Sequence, residues 1–108
     1  LDAALSGLTL QETQRVQEAQ EMQAKLATAR KALVIAEEEL RLMRPLEQSK
    51  AASRTEILGI EAKVNDIQGS VASAELALPR LQAAIQEMRD RRSEKLAAFR
   101  SEALQKLS

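Results

Sequence analysis

The chain has 108 residues and a formal net charge of zero, from 16 basic and 16 acidic side chains. Aromatic residues make up 1% of it, and histidine and cysteine are absent. This composition excludes an aromatic core, most transition-metal sites and the usual Ser–His or Cys–His nucleophile. Charged residues make up 30%, and Ala, Glu, Gln, Leu, Arg and Lys dominate, as in long helices. The sequence therefore predicts an all-α protein that is not an enzyme and has no cofactor or metal site.

The first predicted helix spans residues 10–47. A Ser-Gly pair interrupts any helix before it, and Thr9 with Glu12 fits a capping box, in which two side chains satisfy free N–H groups at the start of a helix. Residues 1–8 are therefore assigned to the N-terminal end of the chain, which looks like an excerpt from a longer protein.

The second predicted helix spans residues 54–106 and begins at another capping box, formed by Ser53 and Glu56. Both helices carry apolar residues at alternating intervals of three and four, and such a stripe needs a second helix to cover it. The stripe of the first helix comprises Ala19, Met22, Leu26, Ala29, Leu33, Ala36, Leu40 and Met43. The stripe of the second comprises Ile57, Ile60, Val64, Ile67, Val71, Ala74, Leu78, Leu81, Ile85 and Met88.

Residues 48–53, between the helices, are predicted to form a tip at which the chain turns back. Pro45 lies one turn before the tip, where a helix that is about to end tolerates proline. The two stripes are mirror-related about residue 50, so a fold at that point places them face to face. A continuous helix would also keep the heptad register, but Pro45 and the second capping box favour the turn. The predicted fold class is an all-α, antiparallel two-helix coiled-coil hairpin over residues 9–108.

Each stripe also contains a four-residue insertion, at Glu12 in the first and at Arg92 in the second. Such an insertion locally unwinds a coiled coil. The two insertions lie opposite each other in a hairpin, so Glu12 and Arg92 are predicted to face each other, and the second seam is predicted to continue to Phe99. Near the centre of the hairpin, Leu33 and Ile67 are predicted to be the best-buried pair.

Several short motifs follow one another along the tip and the second helix. They are Arg44-Pro45-Leu46, Ala52-Ser53-Arg54, the run from Ile57 to Asp66, and Leu76-Ala77-Leu78-Pro79-Arg80. Their order and spacing resemble the α-helical hairpin of HlyD-like membrane fusion proteins, the periplasmic adaptors of type I secretion. The last motif is similar to the branch of that family that exports proteases and lipases. The resemblance covers about residues 20–108.

The resemblance implies a function for the parent protein. It implies an adaptor in the periplasm, anchored in the inner membrane of a Gram-negative bacterium. Several copies of it would assemble in a ring around an inner-membrane ABC transporter, and the hairpin tips would meet a TolC-like outer-membrane channel. No nucleic acid takes part in this function. The cargo, the particular channel and transporter, and the number of copies are not identified by the resemblance.

The resemblance also implies which tip residues bind the partner. In related adaptors the tip carries an arginine, a leucine four residues later and a serine seven residues after the leucine. Leu46 and Ser53 match the leucine and the serine. The arginine position holds Leu42 instead, and its neighbours Arg41 and Arg44 are the candidates to replace the arginine.

Lys50 and Arg54 complete the predicted partner-binding tip. Each tip residue also has a purely local interpretation. Ser53 is a suitable helix cap, Leu46 would close the end of the seam, and charged side chains at a tip are commonly only solvated. The sequence does not choose between a local role and a partner contact for these residues, and one residue can have both.

Three other functions are compatible with a coiled-coil hairpin. The nearest is the hairpin of an efflux-pump adaptor. A nucleic-acid-binding arm would need a basic face along its length, but before residue 89 acidic residues outnumber basic ones 13 to 10. A structural dimeric coiled coil, in which the tip is a hinge, is the third.

Overall fold

The computed structural model describes residues 2–107 and contains two helices, α1 (Asp2–Gln48) and α2 (Arg54–Leu107). Residues 49–53 join them, and no strand occurs in the described range. This architecture confirms the predicted all-α helical hairpin. Neither helix, over the residues described, has a stretch that is long and apolar enough to cross a bilayer.

The start of α1 differs from the prediction, which placed it at residue 10. The helix begins at Asp2 and runs without interruption through the Ser-Gly pair and Thr9. Thr9 does not cap a helix, since its carbonyl oxygen accepts a hydrogen bond from the hydroxyl of Thr13 at 3.0 Å, within the helix. A helical glycine costs only about 1 kcal/mol relative to alanine, and the half-buried side chains of Leu5 and Leu8 continue the packed face. Tertiary packing thus overrides the local breaking signals.

The other helix ends agree with the prediction to within one residue. α1 ends at Gln48 instead of residue 47, and α2 begins at Arg54 as predicted and ends at Leu107 instead of residue 106. Both prolines lie inside helices, Pro45 near the end of α1 and Pro79 in α2. Each removes one backbone hydrogen bond of its helix.

The chain divides into two compact units, and the division on α2 falls next to Pro79. One unit is Met22–Ala77, which contains the tip. The other comprises the chain up to Glu21 and the chain from Leu78 onward.

In the unit Met22–Ala77 the two helices run antiparallel, as ion pairs between them show. Arg44 Nη2 lies 3.6 Å from Glu61 Oε1, and Arg30 Nη2 lies 3.1 Å from Glu75 Oε1. Every residue of the predicted stripes in this unit is buried or half-buried. The hydrophobic effect of covering these stripes is the main force that holds the two helices together. The fully buried residues of this unit are Leu26, Ala36, Ala52, Ile57, Val64 and Ala74.

The prediction that Leu33 and Ile67 are the best-buried pair is wrong, because both are only half-buried. The mirror relation of the stripes pairs the buried Ala36 with the buried Val64, so the best-covered layer combines a small residue with a larger one. The seam between two helices is narrow, so a valine on one helix can cover a facing alanine on the other completely. Ile67 stays partly in water because an open hollow lies beside it, lined by the small residues Ala29, Ala32 and Ser70.

In the unit that contains both chain ends, Glu12 and Arg92 face each other as predicted. Arg92 Nη1 lies 3.3 Å from both carboxylate oxygens of Glu12, and Arg89 Nε lies 3.5 Å from Oε1. Glu12 Oε1 is covered and accepts no hydrogen bond in a favourable geometry, so two guanidinium charges balance this carboxylate. Because Arg92 is partly solvated, the pair contributes only about 0–1 kcal/mol. The seam does not continue to Phe99, which is 48% exposed.

Candidate docking tip

The turn at the tip is a Schellman motif, a common way to end a helix. The N–H group of Lys50 donates to the carbonyl oxygen of Glu47 at 3.1 Å, and that of Ala51 donates to the carbonyl oxygen of Leu46 at 2.8 Å. These bonds satisfy carbonyl groups that the last turn of α1 leaves free. The motif requires one residue in the left-handed conformation, and that residue is Lys50, with a φ of 63°.

Lys50 is an unusual residue for this position, which glycine normally occupies. A side chain in the left-handed region costs about 1–2 kcal/mol, because its Cβ approaches the following carbonyl oxygen. The backbone hydrogen bonds of the turn offset this cost. Among the described residues, no carboxylate forms an ion pair with the Lys50 ammonium group. Strain of this kind is found at functional sites more often than elsewhere, which makes Lys50 a candidate for a contact outside the hairpin.

Replacing Lys50 with glycine is expected to stabilise the hairpin by about 1 kcal/mol, because glycine adopts the left-handed conformation without strain. Urea denaturation, with the midpoint and slope compared to the unmodified chain, measures the change. Lys50→Ala is the matched control, since alanine also loses the charge but keeps the Cβ. Equal stability of the two variants would show that the backbone strain is negligible.

The predicted capping box at the start of α2 is present. The Glu56 N–H group donates to Ser53 Oγ at 3.1 Å, and the Ser53 N–H group donates to Glu56 Oε1 at 3.5 Å. The Ser53 hydroxyl also donates to Glu56 Oε1 at 3.2 Å. Ser53 therefore has a structural role that accounts for about 1 kcal/mol of stability.

The base of the tip is closed by apolar packing. Ile57 is 1% exposed and Ala52 is also buried, so these two side chains form the apolar base of the turn. Leu46 is 39% exposed and is not part of this buried base. Its carbonyl oxygen accepts hydrogen bonds from Ala51, from Ala52 and from the hydroxyl of Ser49, so its backbone is fixed while its side chain is partly free for another contact.

The arginines of the tip all lie close to carboxylates. Arg44 pairs with Glu61, and Arg54 Nη1 lies 3.6 Å from Glu47 Oε1. All four of these side chains remain at least partly in solvent, so the pairs can be exchanged for a partner at little cost. The two arginines are therefore not bound tightly to the hairpin.

Arg41, the other candidate for the tip arginine, pairs within its own helix. Its Nε atom donates to Glu38 Oε2 at 2.9 Å. This hydrogen bond and the charge of the guanidinium group lower the pKa of the Glu38 carboxyl and raise the pKa of Arg41. Both Arg41 and Arg44 line a hollow of about 490 Å³ beside Pro45, together with Val64.

The sequence interpretation overlooked Leu42 as a surface residue and treated it only as a departure from the family pattern. Leu42 is exposed and lies one helical turn before Leu46. Residues four apart share one face of a helix, so the two leucines form a continuous apolar strip that leads to the tip. The spacing of four was the signal that would have revealed it.

The comparison with protein families decides what kind of hairpin this is. The family model for the AprE long α-helical hairpin matches residues 1–108. The chain belongs to this family. No curated protein and no solved structure is significantly similar to it.

Membership of the AprE hairpin family makes the chain part of a type I secretion adaptor. The family indicates a periplasmic location, and it is not a known class of enzyme. Over the described residues of this AprE-family hairpin, no cluster of acidic side chains could hold a metal ion. The tip carries apolar, basic and hydroxyl groups, at Leu46, at Arg44, Lys50 and Arg54, and at Ser53.

Proposed function

We propose that this hairpin is the docking arm through which a type I secretion adaptor binds a TolC-like outer-membrane channel. The tip of the hairpin meets the periplasmic end of the channel. Other parts of the parent protein bind an inner-membrane ABC transporter and anchor the parent in the inner membrane. The arm does no chemistry. It sets the distance between transporter and channel and presents a small surface to the channel.

The observation that carries this proposal is the state of the side chains at the turn. Leu46 is partly exposed, and Lys50 is strained and has no ion-pair partner in the described chain. The hydrogen bonds of the turn fix the backbone of Lys50, but nothing in the described chain pairs with its ammonium group or fully covers the side chain of Leu46. An apolar socket for Leu46 and an acidic or carbonyl group for Lys50 on the channel would explain both. Arg41, Arg44 and Arg54 would supply further contacts at the rim, and Ser53 would contribute its hydroxyl beside its capping role.

A single tip presents too little surface for stable binding, because specific interfaces usually bury about 1,200–2,000 Å². Several hairpins held around one channel convert weak single contacts into strong combined binding. The proposal therefore predicts a weak affinity for one hairpin and a strong one for the assembled adaptor.

The other functions are less well supported by the tip. A nucleic-acid-binding arm needs a basic face that can neutralise phosphates along its length, whereas acidic residues outnumber basic ones 13 to 10 before residue 89. An efflux-pump adaptor would use the same geometry, but the matched family consists of type I secretion adaptors. A structural dimer with a hinge does not require an exposed leucine or a strained lysine at the turn.

The proposal is tested by photocrosslinking from the tip in cells that express the parent adaptor. A photoreactive amino acid at Leu46 is expected to form a crosslink to the outer-membrane channel. The same amino acid at Leu10, an exposed leucine in the other compact unit, is the matched control and should form none. Crosslinking to the channel from Leu10 but not from Leu46 would overturn tip docking.

A further inference from the structure

Facing residues of the seam in the unit Met22–Ala77 lie at equal distances from Lys50 along the chain. The buried Ala36 lies 14 residues before Lys50, and the buried Val64, which it faces, lies 14 residues after it. Two antiparallel copies of the chain can therefore place the same residues opposite each other, with α1 of one copy against α2 of the other. The seam itself does not distinguish a hairpin from two copies that exchange helices.

The ion pairs across the seam fit both arrangements as well. Arg30 on α1 pairs with Glu75 on α2, and Arg44 pairs with Glu61 in the same way. An α2 helix supplied by a second copy would present the same carboxylates at the same heights. What separates the two arrangements is therefore the segment that joins the helices.

The joining segment has no residue that prevents it from becoming helical. Residues 46–53 contain neither glycine nor proline, and Pro45 already lies inside α1. In a continuous helix, intrahelical hydrogen bonds would replace those of the turn. Lys50 would also leave the left-handed region and lose its strain. The backbone of the turn thus does not oppose a continuous helix.

The Lys50 side chain does oppose a continuous helix. Lys50 lies seven residues after Met43 and seven residues before Ile57, both of which belong to the seam. Residues seven apart lie on the same face of a helix in a coiled coil, so Lys50 would enter the seam. It would face Lys50 of the second copy at the centre of the pair. Two ammonium groups in an apolar seam repel each other and lose hydration.

In the hairpin the same side chain carries no such penalty. Lys50 is exposed at the turn, where its ammonium group stays hydrated. Its charge therefore disfavours the exchanged pair and leaves the hairpin unaffected. A lysine at the position where glycine would relieve the strain has a physical reason in this difference.

We propose that Lys50 keeps this chain a hairpin by opposing the exchange of helices with a second copy. Exchange of an identical element is a low-cost route to dimers, because the contacts of the monomer are made again between two chains. In the exchanged pair the turn becomes the middle of a long helix, and the tip is lost. The inference goes beyond the proposed function, and a contact between Lys50 and the channel is compatible with it.

Replacing Lys50 with leucine should allow the exchange, because two leucines would complete the seam at the centre of the pair. Each chain is unfolded in urea and refolded at a series of concentrations, and light scattering measures its mass. The dissociation constant of the Lys50→Leu dimer should be lower than that of the unmodified chain by roughly tenfold or more. Lys50→Gly is the matched control and should stay monomeric, since glycine relieves the turn and disfavours a continuous helix.

Two results of this experiment would overturn the proposal. One is a Lys50→Leu chain that keeps its helix content by circular dichroism and stays monomeric at every concentration. The other is an unmodified chain that dimerises as strongly as Lys50→Leu, because the lysine would then oppose nothing.

Introduced cysteines distinguish exchanged helices from two intact hairpins in contact. The chain contains no cysteine, and Leu33 and Ile67 lie at equal distances from Lys50 on opposite helices. One Lys50→Leu chain receives Leu33→Cys and another receives Ile67→Cys, and the two are refolded together under mild oxidation. Exchanged helices bring these two thiols together, so the mixed disulfide should exceed its statistical share over the symmetric ones.

The control mixture pairs Leu33→Cys with Ala62→Cys, whose thiol lies at an exposed position of α2. A dimer in which the Leu33–Ile67 disulfide forms no better than in this control would overturn the proposal. Predominance of the symmetric disulfides would overturn it too, because it would show that the hairpins stay intact and associate through their outer surfaces.

Discussion

Replacing Leu46 with aspartate should abolish export by the parent adaptor while the helix content of the hairpin stays unchanged. The substitution would place a charge against the apolar socket proposed on the channel, and an unpaired charge in an apolar contact is costly. Leu46 lies outside the buried seam and is 39% exposed, so the substitution should destabilise the hairpin by no more than about 1 kcal/mol. Export of the cognate cargo and circular dichroism of the isolated chain are measured together.

The matched control is Leu10→Asp, which introduces the same charge at an exposed leucine in the other compact unit. It should leave export intact. Normal export by Leu46→Asp would rule out docking through this residue. A loss of helix content in that variant would show instead that Leu46 closes the seam, which is the local interpretation of its position.

Replacing Ile57 with alanine should cause the largest loss of stability of any truncation in the unit Met22–Ala77, about 3 kcal/mol. Ile57 is 1% exposed and lies directly beneath the turn, so the surrounding backbone is held by the Schellman motif and the capping box and cannot close the cavity. The free energy of unfolding from urea denaturation measures the loss.

Ile67→Ala is the matched control, with the same substitution on the same helix at a half-buried position. It should cost about 1–2 kcal/mol, since its side chain is only half-buried and already contacts water. An equal loss for the two variants would mean that burial in this seam does not determine stability.

Much of the fold follows from the spacing of apolar residues. The alternating stripe and its mirror relation predicted two antiparallel helices, and each stripe residue of the unit Met22–Ala77 is at least half-buried. The Ser53–Glu56 capping box and the Glu12–Arg92 contact were also predicted correctly. These features depend on intervals of three and four residues or on contacts within one helical turn. Both can be identified from the order of residues alone.

The candidate site was predicted only in part. Leu46 and Ser53 were selected through the resemblance to known adaptors, and their role as partner contacts stays a prediction. The strain at Lys50 could not be foreseen, because glycine normally marks the left-handed position of a Schellman motif and the tip sequence contains none. Leu42 could have been recognised from the sequence, because it lies off the predicted stripe and four residues before Leu46.

The sequence by itself determined the class of fold, the place of the turn and the faces that meet. Only the tertiary structure decided how far α1 extends towards Asp2, which layers are fully covered, and that Lys50 adopts the left-handed conformation. The physical reason is that the spacing of apolar residues defines which face of a helix is apolar. The burial of each residue depends in addition on the sizes of the side chains around it. The helical Ser6 and Gly7 near the start of α1 and the incomplete burial of Leu33 and Ile67 show how packing outweighs local signals.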